Sequence, residues 1–556
     1  MTIPLDSHAG PSRPKTTVQD VSSFLHPSFY HTDVRPSQLP SLQPEIIVVG
    51  AGIAGTAIAY GLASTGRSIL LLERDLSEPD RIVGELLQPG GVAALHRLGL
   101  QGCLEGIDAT PVEGYCVVLG ERRVKIPYPM LEKYVNGTSS QTVDISHSPS
   151  HQNDTKSNGL HQVVEKEKLS NGHANDNGHV NGNGHSNGNG HPDRNEHPND
   201  LKTSDEQSQT WYVESFSGHK EGRSFHHGRL ITSLRQACYS APNLTVIEAT
   251  VRDLITCEHT SRIIGVTAAF KSTEPALFTD LTQSTDMDKE KESATTTVVR
   301  NIYAPLTIIA DGLFSKFRNL PGLKLPTPIF RSHFVGVILK DVSLPIDKYG
   351  TVCLTPSGPV LLYQIGWKAR EIRMLVDVAG KLPSVADGSL KQHIIDNYLP
   401  HLPLELHSAV QDALDTQRLR TMPNSFLPPA QQASSPSSLQ GAILIGDAWN
   451  MRHPLTGGGM TVAFADAVLL TEYLRPCPGL PEGREGLEDW AVIGERVRKW
   501  FWRRKHLAAV VNILSVALYD LFGGANEDLA ILREGCFKYF ELGGECVAGP
   551  VGLLSA

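Results

Sequence analysis

Glu45-Ile-Ile-Val-Val-Gly50-Ala-Gly52-Ile-Ala-Gly55 is a short apolar strand that runs directly into a G-x-G-x-x-G turn. Gly50 permits the tight turn, Gly52 lets backbone N–H groups approach a pyrophosphate, and Gly55 lets the next helix pack close to the strand. Glycine-rich turns are common, so the turn alone would also fit an ordinary strand–helix connection without a ligand. The residues that follow decide between these two interpretations.

Those residues complete a β-α-β unit. A helix of small and apolar residues is predicted over Thr56–Thr65, Gly66 ends it, and a second strand follows over Ser68–Glu73. Glu73 lies 23 positions after Gly50, where a carboxylate can accept hydrogen bonds from ribose hydroxyls. A carboxylate at this place favours an unphosphorylated ribose, as in FAD or NAD, over NADP. We therefore predict an α/β dinucleotide-binding domain.

A second group of strand ends lies far downstream. The apolar stretch from Gly441 leads into Gly446-Asp447, where Asp447 could bond the ribityl hydroxyls of a flavin. Gly457–Gly459 precede a predicted helix over Thr461–Leu474, and its N-terminal N–H groups and dipole favour a pyrophosphate or an anionic flavin edge. Between these motifs and the N-terminal unit, another strand ends in Asp311-Gly312. This order of motifs resembles that of the flavoprotein hydroxylases.

Longer strings make the resemblance specific. These strings are Arg74–Gly91, Ser224–Arg229, Met422–Pro429, Asn450–Met460 and Leu542–Leu554. In them the chain resembles the squalene epoxidases (squalene monooxygenases), which are FAD-dependent enzymes, and in particular the fungal ones. They occur in the family's order, and the resemblance covers Glu45–Tyr128 and Ser224–Leu554.

The resemblance implies a reaction and its partners. Squalene and O₂ would give (3S)-2,3-oxidosqualene in sterol (ergosterol) biosynthesis, with electrons from NADPH through a cytochrome P450 reductase. The sequence has no second complete G-x-G-x-x-G unit for a nicotinamide cofactor, which agrees with a separate reductase. The family implies the cytosolic face of the endoplasmic reticulum membrane, with a lipid droplet as the alternative location.

Three other functions stay open at this point. The first is FAD-dependent epoxidation of another prenyl or terpenoid chain in specialised metabolism, the second is aromatic hydroxylation, and the third is flavin binding without catalysis.

The resemblance also implies cofactor contacts. Glu73 and Arg74 would hold the adenosine end, and Arg81 and Leu86 would contact the cofactor. Val251, in a strand predicted over Leu244–Ile255, would meet the adenine through its backbone. Arg229 could bond phosphate or ribityl oxygens, or it could form a surface salt bridge. Asp447 and Met460 would flank the pyrophosphate and the isoalloxazine. The complete predicted set is Gly50, Gly52, Ile53, Ala54, Gly55, Glu73, Arg74, Arg81, Leu86, Arg229, Val251, Asp447 and Met460.

Tyr128, in Ile126-Pro-Tyr128-Pro, is the residue predicted to act in catalysis. It resembles a tyrosine that the family places near the flavin and the substrate, and its phenol could orient a glutamine or the flavin edge. The alternative is an aromatic ring packed between prolines. Gln88 and Glu85 are weaker candidates. His226 and His227 look like acid–base groups that a flavin-dependent epoxidation does not need. Tyr363 and Phe426 could line a substrate tunnel or belong to the core.

Composition excludes other classes. The chain has 556 residues and a formal net charge of −9, which argues against a nucleic-acid-binding surface. Its eight cysteines form no C-x-x-C pair, so reduced thiols are expected rather than a metal site or a disulfide framework. The spaced histidines of His173–His191 stand in a repeat of Asn and Gly, which favours a disordered loop over a metal site.

The predicted architecture is an FAD-binding Rossmann-like domain of the flavoprotein hydroxylase type, with a β-sheet substrate domain and C-terminal helices. Strands of the substrate domain are predicted from His333, Val360 and Ile372, where the residues are apolar or β-branched. Leu507–Leu518 is predicted as an apolar helix, either buried or lying at a membrane surface, and Gly543–Gly552 as a loop. The boundaries are a tail over 1–44, FAD-binding segments over 45–130, 223–329 and 431–484, a low-complexity insertion over 131–222, a substrate domain over 330–430, and a helical, membrane-associated region over 485–556.

Overall fold

A computed structural model describes residues 43–129, 221–272, 296–523 and 526–555. The predicted N-terminal tail and insertion lie almost entirely outside these ranges. The α-helices of the described residues are α1 Ile53–Ser64, α2 Pro89–Leu98, α3 His227–Ser240, α4 Ser389–Asn397, α5 His407–Thr416, α6 Gly459–Leu474, α7 Trp490–Gly523, α8 Glu527–Glu541 and α9 Glu545–Ser555. Their strands are β1 Ile46–Val49, β2 Ile69–Glu73, β3 Leu86–Leu87, β4 Thr110–Val112, β5 Gly114–Leu119, β6 Arg122–Pro127, β7 Gly222–Ser224, β8 Leu244–Glu248, β9 Thr250–Thr256, β10 Ile263–Ser272, β11 Thr296–Tyr303, β12 Leu306–Ile309, β13 Ile329–Lys340, β14 Tyr349–Thr355, β15 Gly358–Gly366, β16 Glu371–Ala379, β17 Arg420–Phe426 and β18 Ala442–Leu444.

A five-stranded sheet in the order β18-β12-β1-β2-β8 forms the predicted dinucleotide-binding fold. Every neighbouring pair in it is parallel. Its central strands are buried on both faces, which is why they read as continuous apolar runs rather than as alternating ones. Since the strands are parallel, the turns that follow β1, β12 and β18 meet at one edge of the sheet. Three motifs that lie far apart in the sequence are thereby brought together.

The glycines of the first turn are required by close backbone approach. Gly50 has φ +100°, and a Cβ there would lie 2.6 Å from the carbonyl oxygen of Ala310. A Cβ at Gly55 would lie 1.7 Å from the carbonyl oxygen of Gly50. Gly52 differs, because nothing lies within 4 Å of its Cβ position. The first and third glycines therefore allow packing, and the second keeps space open.

A seven-stranded sheet in the order β17-β13-β16-β15-β14-β5-β6 forms the second large layer. It contains the three strands predicted from His333, Val360 and Ile372, and it is antiparallel except where β14 pairs with β5. β5 and β6 lie inside the first segment assigned from sequence to FAD binding. They join this sheet instead, because residues 114–118 pair with β14.

Two sequence predictions about local structure are wrong. One strand was predicted over Leu244–Ile255, but the chain turns at Ala249, whose N–H donates to the carbonyl of Glu73. β8 therefore completes the parallel sheet while β9 pairs with β10. The predicted loop Gly543–Gly552 is helix α9 from Glu545 onward. Gly543 and Gly544, both at positive φ, turn the chain into that helix, and Pro550 lies inside it.

The predicted helix Leu507–Leu518 is part of α7, which has 34 residues. By length and composition, it alone among the described helices could cross a membrane. In its most apolar stretch of 18 residues, 28% of the residues are buried inside the protein. Inward-facing residues recur along it, among them Trp500, Arg504, Val511 and Ser515. α7 therefore packs along the protein over most of its length.

The first prediction compares two glycines of the same turn. Gly55→Ala should lower the free energy of unfolding by about 3 kcal/mol or more, because overpacking against a backbone oxygen cannot be relieved by rotating a side chain. Gly52→Ala should leave it within about 0.5 kcal/mol, since the new methyl group meets no atom. Denaturant unfolding of both variants without cofactor is the measurement. Equal losses of stability would contradict the packing account.

Candidate active site

One elongated cavity lies between the turns of the parallel sheet and the face of the seven-stranded sheet. Its polar wall comes from the loops after β1, β12 and β18. Its apolar wall comes from β14, β15 and β16 and includes Val352, Leu361 and Leu375. A polar wall opposite an apolar one suits a charged cofactor beside an apolar substrate.

Seven residues of the predicted cofactor set line this cavity, and they are Gly52, Ile53, Ala54, Arg81, Leu86, Asp447 and Met460. Gly50 and Gly55 do not line the cavity, because they pack against backbone atoms within and beside the turn. Glu73 lies beside the turn as well, because its Oε2 accepts a 2.6 Å hydrogen bond from the N–H of Ala51. The structure thus gathers most of the predicted set around one space.

Three other predicted residues are not among those that line the cavity. Arg74 is exposed, and Val251 is half-buried in β9. Arg229 lies 3.8 Å from the carboxylate of Asp108 and points a guanidinium nitrogen at the carbonyl of Ile107, 3.5 Å away. That geometry agrees with the salt-bridge alternative, and the cofactor roles of these three residues stay predictions.

The cavity wall has features that a bound dinucleotide would satisfy. Asp311 follows β12 between the lining residues Ala310 and Gly312, and although it is not itself a lining residue, its Oδ1 is buried without a hydrogen-bond partner. The side-chain oxygens of Thr351 and Asn424, which both line the cavity, are likewise unsatisfied. Buried polar atoms normally have partners, so these orphans indicate missing ligand atoms or water. Together with the open space at Gly52, they fit a nucleotide cofactor.

Tyr128 heads a chain of hydrogen bonds at one end of the cavity. It is buried, and its hydroxyl donates to Gln88 Oε1 at 2.7 Å. The Gln88 amide donates to the hydroxyl of Tyr115 and, at 2.8 Å, to the carbonyl of Thr456. Tyr115 lines the cavity, and Thr456 precedes the glycines that begin α6. Tyr128 is not itself among the lining residues, but it contacts the glutamine that sequence reasoning offered as one of its two partners, and its role in catalysis stays a prediction.

Glu85, the other weak candidate, belongs to a buried ion pair. Arg373 contacts it through two parallel hydrogen bonds of 2.8 and 2.9 Å. Burial alone would lower the pKa of Arg373, but the hydrogen bonds and charge of Glu85 outweigh it and raise that pKa. Tyr363 lines the cavity beside this pair, whereas Phe426 is not among the lining residues. The pair joins the segment before β3 to the large sheet.

The two histidines have different environments. His226 lies 2.8 Å from a carboxylate oxygen of Glu371. His227 is buried at the start of α3, lines the cavity, and bonds the carbonyl of Gly84 through Nδ1 at 2.8 Å. Burial, with the nearby charge of Arg81, lowers the pKa of His227 to about 4, although its bond to Gly84 opposes the shift. His227 is thus a neutral donor that holds the Gly84 turn.

Sequence reasoning missed a buried polar cluster centred on Asp377. Ser332 and Asn424 donate to its carboxylate, and His453 Nε2 lies 3.2 Å from it. His453 Nδ1 accepts from the N–H of Leu455, so Nε2 carries the proton. Tyr519 of α7 stacks on the His453 ring at 3.9 Å. The sequence signal was slight: an aspartate in an apolar strand and a histidine before Pro454.

Comparisons with known proteins identify the family. A profile of the squalene epoxidase family matches residues 303–556, and one of a NAD(P)-binding Rossmann-like domain matches residues 48–77. The squalene epoxidase of Aspergillus fumigatus is 36% identical over 512 residues, which cover 92% of this chain and 81% of that protein. The squalene monooxygenase of Mus musculus is 37% identical over 92% of this chain and 68% of its own length.

Solved structures agree in fold. Flavin-dependent brominase Bmp2 superimposes with a TM-score of 0.55 at 11% identity, covering 92% of this chain and 94% of its own. A probable FAD-dependent monooxygenase from Pseudomonas aeruginosa gives a TM-score of 0.53 at 14% identity, covering 89% of this chain and all of its own. At such low identity these likenesses show the fold alone.

The second prediction follows from His227. Its folded-state pKa of about 4 lies below the ordinary value of 6.5, so the unfolded chain binds more protons between these values. The stabilisation is present above pH ~6.5 and is lost as the pH falls toward 4. Between pH 7 and pH 5 the wild type should lose about 2 kcal/mol more stability than His227→Asn. Denaturant unfolding at both pH values measures this, with exposed His401→Asn as the control. An equal loss of stability between pH 7 and pH 5 in the wild type and in His227→Asn would refute this prediction.

Proposed function

The chain belongs to the squalene epoxidase family, and we propose that its cavity holds FAD and squalene side by side for epoxidation. It is an FAD-dependent monooxygenase whose product in this proposal is 2,3-oxidosqualene, a precursor of sterols. The observation that carries the proposal is the division of one cavity into a polar wall of glycine turns and an apolar wall of sheet residues. A hydrocarbon offers no groups for polar recognition, so its site must be apolar.

FAD, when bound, would supply the redox chemistry, which is the activation of O₂ and the transfer of one oxygen atom to the alkene. The residues of this chain would bind and orient the cofactor and the substrate, and they would exclude water from the cavity. Gly52, Ile53 and Ala54 would hold the pyrophosphate with backbone N–H groups, and Asp447 would hold the ribityl chain. Val352, Leu361 and Leu375 would cover the substrate, since they close the cavity on the opposite side.

In this proposal Tyr128 is a positioning residue. Its hydroxyl fixes the orientation of Gln88, and Gln88 in turn fixes the carbonyl of Thr456 at the start of the glycine loop. Removing the hydroxyl would leave Gln88 Oε1 buried without its donor, at a cost of about 1–3 kcal/mol. Gln88 would then hold the carbonyl of Thr456 less firmly, and the glycine loop in the cavity wall would shift. The predicted cofactor contacts of Glu73, Arg74, Arg229 and Val251 belong to the same proposal.

We also propose that the C-terminal helices rest on the endoplasmic reticulum membrane at its cytosolic side, where an NADPH–cytochrome P450 reductase delivers electrons. Support comes from large apolar side chains that face solvent on α7, α8, α9 and the turn between the last two. Ile513 is 66% exposed, Ile531 70%, Leu542 75% and Leu553 53%. Apolar residues gathered in one region of a surface mark an interaction site. Squalene itself dissolves in such a membrane, so entry from that side suits the substrate.

The third prediction is the test of the reaction. Purified protein in detergent with FAD, NADPH, P450 reductase and labelled squalene should give 2,3-oxidosqualene, read by product chromatography. Tyr128→Phe should lower turnover roughly tenfold, the equivalent of about 1.4 kcal/mol. The control is Tyr398→Phe, because Tyr398 is equally buried, in a different apolar cluster, and its hydroxyl donates to the carbonyls of Ser357 and Asp377 instead.

Two results would contradict this assignment. FAD reduction without 2,3-oxidosqualene, but with oxidation of another prenyl chain, would move the enzyme to specialised metabolism. Equal effects of Tyr128→Phe and Tyr398→Phe on turnover would remove the positioning role from Tyr128.

The fourth prediction concerns the membrane. Ile531→Asp and Leu542→Asp should each weaken binding to phosphatidylcholine vesicles roughly tenfold or more, because burying such a side chain contributes about 1.5–3 kcal/mol. Flotation with vesicles is the measurement. Leu404→Asp is the matched control, since Leu404 is 81% exposed but lies outside the C-terminal helices. Membrane binding that survives both substitutions would place the contact elsewhere.

A further inference from the structure

Arg452 is a buried cation in the wall of the cavity. Its side chain lines the cavity, and only about 9% of the residue is exposed. Its guanidinium donates to the side-chain oxygen of Asn512 at 2.7 Å, to the carbonyl of Gly459 at 3.2 Å and to the carbonyl of Asn450 at 3.4 Å. All three acceptors are neutral. Within the described ranges, no carboxylate forms an ion pair with it.

The nearest acidic groups do not neutralise this charge. Asp466 is already held by Arg504 through two hydrogen bonds of 2.7 Å each. Asp447 acts on Arg452 only at longer range, and its residue is exposed, so water screens its charge. Burial lowers the pKa of Arg452 to about 10, which leaves it protonated at neutral pH. Arg452 therefore carries a buried positive charge that no carboxylate of the described residues neutralises by direct contact.

Asn512 explains how this charge is held. It is the polar residue that interrupts the apolar run of α7, and it is buried with its side chain facing Arg452. A buried charge without an opposite charge costs several kcal/mol, so its retention in a cavity wall calls for an anion in that cavity. Arg452 bonds the first residue of α6, the helix that also carries Met460. Met460 is the predicted neighbour of the isoalloxazine.

We propose that Arg452 is the electrostatic partner of the negative charge that the flavin carries after reduction, and that Asn512 positions it. This inference rests on the proposed function, because it requires FAD in the cavity. Reduction by two electrons and one proton leaves an anionic ring system, and a fixed cation beside that ring lowers its free energy. Arg452 thereby binds the reduced cofactor more tightly than the oxidised one.

The fifth prediction uses a substitution that separates charge from structure. Asn512→Asp preserves size and turns the 2.7 Å contact into an ion pair, which cancels the charge of Arg452. If Arg452 acts through its charge, the preference of the protein for reduced over oxidised FAD should fall roughly tenfold or more. If Arg452 were only structural, the new ion pair would leave that preference unchanged. The measurement is the equilibrium of bound FAD with a reference dye during anaerobic reduction.

Two companion variants and one control complete the experiment. Arg452→Met should give the same fall as Asn512→Asp, and Arg452→Lys should retain most of the preference because it keeps the charge. Lys499→Met, which removes an exposed positive charge of α7 that does not line the cavity, should change nothing. If Arg452→Met does not retain FAD, Asn512→Asp and Arg452→Lys decide the question alone.

An unchanged preference in Asn512→Asp would overturn the proposal. Equal weakening of both redox forms of FAD would overturn it too, because it would assign Arg452 to the pyrophosphate. Failure of the wild-type protein to bind FAD would instead reject the proposed function on which this inference rests.

Discussion

A single buried carboxylate joins the parts of this protein that must stay in register. Asp377 stands in the middle of β16, accepts hydrogen bonds from Ser332 on β13 and Asn424 on β17, and lies against the imidazole of His453. The same imidazole is stacked on Tyr519 from α7, and its backbone carbonyl accepts from Ser515. A buried charge is stable only when donors surround it, so sheet, glycine loop and C-terminal helix must meet at one point.

The cavity depends on that meeting point. Its polar wall belongs to the parallel sheet and its apolar wall to the seven-stranded sheet, and neither layer could enclose a substrate alone. The loop from His453 to Gly459 lies between the two layers, and it is held from one side by Gln88 and from the other by α7. For an oxidation that must exclude water, the positions of these walls matter more than any acid or base. That agrees with the neutral, structurally engaged state of His227.

The sequence could predict the parts of the fold that local rules govern. The spacing of Gly50, Gly52 and Gly55 predicts a strand, a turn and a helix, because Gly50 takes a positive φ, Gly55 packs on the carbonyl of Gly50 and Gly52 keeps space open. The same reasoning failed where pairing is remote. Nothing near Ala249 reveals that one strand ends there, since the division appears only in the pairing of β8 with β2 and of β9 with β10. The helix over Glu545–Ser555 was hidden by its glycines and Pro550, whose cost is offset by packing.

The residues of the site can likewise be divided into those that belong to local motifs and those that depend on remote contacts. Seven residues of the predicted set could be found because they belong to motifs that carry their chemistry in a short string. Arg452, Asn512 and Asp377 could not, because a charge in an apolar environment becomes meaningful only when its neighbours are known. Asn512 appeared in the sequence merely as a break in an apolar helix, and only the contact with Arg452 gives it a role.

The pairing of β5 with β14 has a consequence for how this protein folds during its synthesis. Glu113 and Lys348, which flank that pairing and form an ion pair, are 235 residues apart in the chain. The parallel sheet likewise stays open until β18, at Ala442–Leu444, has been made. During synthesis, therefore, both sheets present unpaired edges for most of the time the chain takes to emerge. Contacts so remote make folding slow and expose the nascent chain to wrong association. The two layers can close only together, when nearly the whole polypeptide is available.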